Sequence, residues 1–421
     1  MSQPFRFVHS SDLHLERPLG GLGETPAHLA DLLIDAPYAA AERVFDLAIS
    51  ERADFLVLSG DVLDVDRAGP RAVAFLLAQC ERLAAREIAV YWAYGPAERR
   101  SPWPAELRLP ANVHVFARGA AQTLAHHSDG EDLAVLVGTS DEPRTAEPHR
   151  ARKGSAGGDA PFETLVKPKG GRFALAVIHG RVSGKHLAKS GFDYWACGGE
   201  HGRRQFGNGR HLAVYAGSPQ ARSPAERGVH GAVVVDVDEH GAPHPRFVAT
   251  DLARFRRVRL TLDPSAPQSD QEKIVADRVR AELARAAGLD LFLRCQLSAT
   301  GATTLRTPRD AWGQSWLRWL RQEFGTDSPA AWTLSVDVQP SGTAAGMAAP
   351  DGSLLADYLA AIADFEQLEE SLPLAMLLPE SQRTSPAARL IHIDDAHERA
   401  RVLRQARLLG RDLLGAEEES A

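Results

Sequence analysis

The chain has 421 residues, 44% of them hydrophobic and 24% charged, and a formal net charge of -7. That length suits two or three domains with sizeable cores, no run of ~18 apolar residues offers a membrane span, and the negative balance means that any nucleic-acid contact must be local. Cys80, Cys197 and Cys295 form neither a CxxC pair nor a disulfide framework, and Met1-Ser2-Gln3-Pro4 leads directly into a strand-like run, so the expected location is the cytoplasm.

Phe5 to Val8 is a short apolar run of strand character. Tyr38 to Arg52 and Pro70 to Arg86 carry apolar residues at helical spacing, and Phe55 to Leu58 and Ile88 to Trp92 read as strands between and after them. This alternation predicts an α/β chain with helices outside a sheet. Leu133 to Val137, Phe173 to Val177, Tyr194 to Cys197, Leu212 to Tyr215 and Ala232 to Val237 continue as buried strands; Arg144 to Gly171, rich in Gly, Pro, Lys and Arg, reads as a mobile loop.

From about Asp251 the pattern changes to strand Arg257 to Leu262, helix Gln271 to Ala287, strand Leu291 to Leu297, helix Arg309 to Glu323 and strand Trp332 to Val338. This is a small α+β module with ferredoxin-like alternation. Trp312, Trp316 and Trp319 recur at i, i+4 and i+7, which predicts one buried face. Ser341 to Gly352 reads as a linker, and Ser353 to Leu372 and His397 to Leu414 as helices. In the second of these, Val402, Ala406, Leu409 and Leu413 line one face and Arg401, Arg404, Arg407 and Arg411 another, a pattern that serves internal packing and partner docking alike. The expected domains are 1–250, 251–340 and a helical tail, 351–421.

Four clusters follow strands in the first half: Asp12-Leu13-His14, Gly60-Asp61-Val62-Leu63-Asp64, Ile178-His179-Gly180 and Gly198-Gly199-Glu200-His201. Loops at the carboxyl ends of strands form the ligand crevice of an open α/β sheet, and Mn, Fe and Zn accept such a mixture of carboxylate oxygen and imidazole nitrogen. Any one of these Asp residues alone reads equally well as a helix cap or turn former. His126, His127, His211 and His230 have no such context and are expected on the solvated surface.

The ordered set, with Val8-His9-Ser10-Ser11-Asp12-Leu13-His14-Leu15 and Tyr215-Ala216-Gly217-Ser218-Pro219-Gln220, resembles the calcineurin-like metallophosphoesterases, and within them the SbcD- and YhaO-type DNA repair nucleases. The resemblance spans roughly residues 4 to 240. It implies a metallophosphoesterase-like β-sandwich flanked by helices, a DNA-contacting capping domain at 251–340, and a tail that docks on an ABC-type ATPase subunit. It also implies a first metal held by Asp12, His14, Asp61 and His201, and a second sharing Asp61 and adding His179.

The sequence departs from that pattern within Gly95-Pro96-Ala97-Glu98 and at Gly199. Pro96 and Gly199 stand where the family has second-metal ligands, and Ala97 where it has the His that protonates the leaving oxygen; Asp64 corresponds to the residue orienting that His. Glu98 or Glu200 is a candidate substitute ligand. The resemblance therefore implies a protein that binds DNA ends with one divalent ion, Mn first and Fe or Zn next, and reduced or absent hydrolysis, as a homodimer off the membrane. The alternatives are an active Mn-dependent nuclease with substituted ligands and a small-substrate phosphoesterase. Arg99, Arg100, Arg203 and Arg204 flank the ligand loops and are the candidate phosphate contacts, with Arg254, Arg256, Arg257 and Arg259 a second basic stretch, the last two on one side of a strand and Arg256 on the other.

Overall fold

The computed structural model describes residues 3–100, 103–104, 107–128, 130–140, 165–209, 211–299, 309–339, 353–367, 372–373, 380, 392–393, 399–400, 402–403, 406–407 and 409–410, with backbone alone at 99–100, 309–310, 367, 372–373 and 392–393. In chain order come β1 (Phe5–Ser10), α1 (Ala30–Ser50), β2 (Phe55–Ser59), α2 (Val65–Ala84), β3 (Ala89–Ala93), α3 (Pro96–Arg100) and β4 (Val113–Val115). Then follow β5 (Gln122–Ser128), β6 (Glu131–Gly138), β7 (Phe173–His179), α4 (Gly184–Ser190), β8 (Tyr194–Gly198), β9 (Arg204–Asn208), β10 (His211–Tyr215), β11 (Gly231–Val237) and β12 (Pro243–Ala249).

These strands build two six-stranded mixed sheets, β12-β11-β1-β2-β3-β4 and β5-β6-β7-β8-β10-β9. The central strands β1 to β4, and β6, β7, β8 and β10, run parallel; β11, β12, β5 and β9 are antiparallel additions. Because side chains alternate across a strand, Phe7, Phe55 and Val57 join Leu175, Val177, Tyr194 and Val214 in one core shared by both sheets. Val8, Leu56 and Leu58 turn the other way, into a core with Val44 and Phe45 of α1 and Leu76 and Leu83 of α2. Ala176, Ile178 and Trp195 meet Leu187 of α4 on the outer face of the second sheet. Burial on both faces explains why these strands read as continuous apolar runs. The expected α/β class holds in this form, a mixed α/β chain.

The expected strands and helices of the first half fall on observed elements, with the expected ends of α1 and α2 and the expected start of β3 one or two residues outside them. α1 begins at Ala30, earlier than expected, and runs through Pro37. Proline cannot donate to the carbonyl four residues back, and that carbonyl, on Leu33, accepts the Leu19 N–H instead at 3.1 Å. α2 is interrupted at Gly69 (φ 69°), and Pro70 restarts it where the helical spacing begins. Strands β4, β5, β9 and β12 have weaker patterns and were not expected. Of the loop read over 144–171, residues 144–164 lie outside the described residues, and 165–171 carry no helix or strand. His126 and His230, expected at the surface, are buried at 7% and 4% exposure.

The chain divides into two compact units, one of 1–257, 281–294 and 324–334, the other of 258–280, 295–323 and 335–421. β13 (Ala253–Leu262), α5 (Gln268–Ala286), β14 (Asp290–Ala299), α6 (Arg309–Phe324) and β15 (Ala331–Gln339) follow the expected alternation, and the strands form a sheet in that order. Arg257 and Arg259 are exposed and Arg256 less so, but Arg254 is buried, its guanidinium on Asp251 at 2.7 Å and 3.0 Å, so it is not part of a basic surface. Among the described side chains of α6 the buried positions are Gly313, Trp316, Leu320 and Phe324; Trp312 and Trp319 are only half-buried, so the buried face is rotated from the tryptophan stripe.

The chain continues through α7 (Leu354–Gln367) and a pair of short antiparallel strands, β16 (Leu372–Pro373) and β17 (His392–Ile393). The linker read over 341–352 lies outside the described residues. In the tail, Tyr358 of α7 donates to the Ala406 carbonyl at 2.9 Å and Arg407 pairs with Glu366 at 2.5 Å. Leu403 is buried at 5% exposure and Leu409 is 53% exposed, so the covered side includes a residue outside the predicted apolar stripe. Arg401, Arg404, Arg411 and Leu413 lie outside the described residues. No helix among the described residues is long and apolar enough to cross a membrane.

Candidate metal centre

Asp12 and His14 follow β1, Asp61 follows β2, His179 ends β7 and His201 follows β8. Parallel neighbours in each sheet present these ends on one side, and the two sheets bring the ends together. Backbone bonds bind the first two loops: Asp12 N to Gly60 O at 2.9 Å, His14 N to Asp61 O at 3.0 Å and Leu15 N to Val62 O at 3.1 Å. Asp12 (φ 55°), His14 (φ 42°) and Asp61 (φ 51°) all adopt left-handed backbone. For non-glycine residues this costs roughly 1–3 kcal/mol each and persists only where the surroundings over-determine it.

The side chains converge into two overlapping groups, Asp12, His14 and His201, and Asp12, Asp61 and His179, with one donor atom from each residue inside 4.8 Å of the others in its group. His14 Nε2 and His201 Nε2 are 3.3 Å apart; Asp61 Oδ2 lies 3.6 Å from His14 Nε2 and 3.7 Å from His179 Nε2, and Asp12 Oδ1 4.0 Å from His201 Nε2. Every Nδ1 is committed outward: His14 to Glu16 at 3.1 Å, His201 to Glu226 at 2.9 Å and His179 to the Ser59 carbonyl at 2.9 Å. Carboxylates and carbonyls accept, so each Nδ1 carries the proton and each Nε2 presents a lone pair inward. Backing partners of this kind orient metal-ligating histidines, and the donor set fits a divalent cation.

Electrostatics agree. Burial alone would lower His179, but the carboxylates of Asp12 and Asp61 and the Ser59 carbonyl raise it; the bond to Glu226, then Asp12, raises His201. Glu16 and Glu226 are held below the ordinary carboxylate range, their burial outweighed by the bonds to His14 and His201. The cluster thus favours positive charge, which is what a cation site requires.

Neither reserve carboxylate is turned toward these groups. Glu98 is 1% exposed; Oε1 accepts from Val62 N at 2.6 Å and Leu63 N at 3.2 Å, Oε2 from Gly95 N at 2.8 Å and Asp61 N at 3.1 Å. Burial, then the neighbouring Asp61 carboxylate, push it up to about 7 against the pull of those donors. Glu200 faces Arg204 at 3.4 Å and Arg181 at 3.9 Å. The Ala97 N–H donates to Asp61 Oδ1 at 2.6 Å, and the Gly199 N–H to both Asp12 oxygens at 3.2 Å and 3.0 Å, so these two positions contribute backbone where no side-chain donor stands. Asp64 is buried at the start of α2, its carboxylate 3.6 Å from Arg67.

Arg203 and Arg204 are exposed, stacked over Phe247 and Phe206 at 5.3 Å and 5.5 Å; the Arg99 and Arg100 side chains lie outside the described residues. The supporting residues were missed in the sequence. Glu16 was within reach as the second residue after His14, but Glu226 is 25 positions from the histidine it orients and has no spacing signal. Beneath the centre His9, fully buried, bonds Ser59 Oγ at 2.6 Å and Tyr194 Oη at 3.1 Å, and burial holds its pKa down to about 3.

No family model matches the chain. A curated relative, an uncharacterised metallophosphoesterase, YhaO, of Bacillus subtilis strain 168, is 30% identical over 244 residues, 55% of this chain; the chain spans 57% of the length of that relative. Among solved structures, a dimetal phosphatase from Danio rerio has a TM-score of 0.36 at 11% identity, over 59% of this chain and 99% of that one. GAP50, described as the anchor in the inner membrane complex of Plasmodium, has a TM-score of 0.32 at 11% identity, over 59% of this chain and 85% of that one. The chain is therefore similar, over those 244 residues, to a metallophosphoesterase.

Proposed function

We propose that this is a metallophosphoesterase-type protein of the SbcD- and YhaO-like branch that binds DNA ends and hydrolyses phosphodiesters weakly or not at all. The observation that carries the metal reading is the pair of imidazole nitrogens, His14 Nε2 and His201 Nε2, 3.3 Å apart beside the Asp12 and Asp61 carboxylates. One divalent ion, Mn first, is held by Asp12, His14, Asp61 and His201, and His179 stands next to it. Such an ion polarises a phosphoryl oxygen and lowers the pKa of a bound water. Ala97 has no proton to give a leaving oxygen and Pro96 no ligand atom, which supports reduced hydrolysis; general acid catalysis alone is typically worth ~10²–10⁴ in rate.

The remaining assignments belong to the same reading. A metallophosphoesterase domain occupies 1–250, a capping domain 251–340, and the helical tail 351–421 takes an ABC-type ATPase subunit as partner. The protein works in the cytoplasm as a homodimer, with Arg99, Arg100, Arg203 and Arg204 on phosphates. The group of Asp12, Asp61 and His179 favours a second reading, an active enzyme with two ions.

A Mn-dependent cleavage assay on linear duplex DNA with metal analysis separates the two. Bound metal with DNA binding and little cleavage supports the first reading. Cleavage abolished by Asp61→Ala supports the second. Absence of bound metal rejects both.

A further inference from the structure

Arg222 is 5% exposed, and its guanidinium makes one hydrogen bond among the described residues, from Nη2 to the Leu13 carbonyl; Nε and Nη1 have no partner there. A buried charge is costly unless it is paired. Burial draws its pKa down to about 10, opposed by the carboxylates of Glu16 and Glu226. Arg254 shows the ordinary solution for a buried arginine in this chain, two bonds to one carboxylate. Arg222 instead spends its single side-chain bond on a main-chain carbonyl, and that carbonyl lies between Asp12 and His14, both left-handed.

Its backbone reaches the other side of the centre. Arg222 N donates to Glu226 Oε2 at 2.8 Å, while Glu226 Oε1 holds His201 Nδ1 at 2.9 Å. Arg222 O accepts from Gly20 N at 2.8 Å, which fixes the segment after the first ligand turn. One residue thus joins the turn carrying Asp12 and His14 to the carboxylate that orients His201.

We propose that Arg222 is a positioning residue of the metal centre, holding the Asp12–His14 turn through Leu13 with its side chain and Glu226 behind His201 with its backbone. The inference rests on the metal reading above. A strained turn keeps its shape only while such bonds over-determine it. Without the bond to Leu13, Asp12 and His14 lose their aim while the apolar cores are untouched.

The test is Mn(II) binding to the full-length chain by titration calorimetry. Arg222→Met, which nearly keeps volume and removes every side-chain donor, should weaken affinity by roughly 10–100-fold, the range for losing a partner behind a metal ligand. Arg222→Lys keeps a cationic donor and should recover most of that affinity. Recovery of affinity separates positioning from support of the fold, because stability measured by urea need not follow it. Parent-like affinity in folded Arg222→Met overturns the inference, whereas a parent chain that binds no Mn(II) overturns the metal reading instead. Should Arg222→Met not fold, NMR of the unmodified chain decides: added Zn(II) should slow exchange of the Arg222 guanidinium protons, and unchanged exchange overturns the inference.

Discussion

The Glu98 carboxylate and the Asp61 backbone N–H are joined at 3.1 Å, and through that bond a buried acidic residue serves the main chain of a ligand loop. Glu98→Gln keeps one acceptor oxygen and sets an amide donor against backbone donors. Hydrogen bonds to a buried charge are worth ~1.5–3 kcal/mol each, so a loss of roughly 2–4 kcal/mol is expected after partial compensation. Urea unfolding with an unchanged slope and a lower midpoint is the measurement; an unmoved midpoint would show that the carboxylate is not the clamp.

His201→Ala should empty the site. It removes one of the facing lone pairs and leaves Glu226 without its imidazole, so elemental analysis after gel filtration should fall from about one tightly held ion per chain to near none, four protein ligands being close to a full first shell. Two equally occupied ions in the parent, seen by anomalous scattering, would replace this with the two-ion reading.

Gly199→His, which puts back the residue of the resembled family, should not create a second ion site. Gly199 has φ 93°, and a Cβ there would stand 3.2 Å from His179 Nε2. The new side chain strains the loop that donates to Asp12. Metal content is expected to stay level or drop; a gain of one ion per chain would reject this.

His9 makes stability depend on pH. Its folded pKa of about 3 lies below the ordinary 6.5, so between these values the unfolded chain binds the extra proton. This contribution is fully present above about pH 6.5 and is lost as the pH falls toward 3, by roughly 1.4 kcal/mol per pH unit. In His9→Gln the acid-side slope of unfolding free energy should be shallower by about one proton. Equal slopes in both proteins would mean that His9 is not held neutral.

What the sequence disclosed was set by locality. Runs such as Phe55 to Leu58 and the α5 and α6 spacings specify their elements within a few residues, because burial imposes a period that the chain itself displays. The loops with Asp12, Asp61, His179 and His201 were readable for the same reason, each following a strand. Pro37 hid the start of α1, since its compensation comes from Leu19, outside the helix. Glu226, Arg222 and His9 were invisible because their roles come from partners far away in the chain, and Glu98 appeared as a spare ligand because its sequence position cannot tell a carboxylate facing an ion from one facing amides.

That last distinction bears on how such a loop can change over generations. With four backbone donors gathered on Glu98, and Ala97 serving Asp61 through its N–H, these bonds of the loop use no side-chain atom of 96 or 97. The side chains at those two positions can therefore change while these bonds stay in place. In a saturation library selected only for folding, position 98 should be nearly invariant and position 97 should admit other small residues in its buried site. The frame of this crevice is heritable separately from the side chains it carries at 96 and 97.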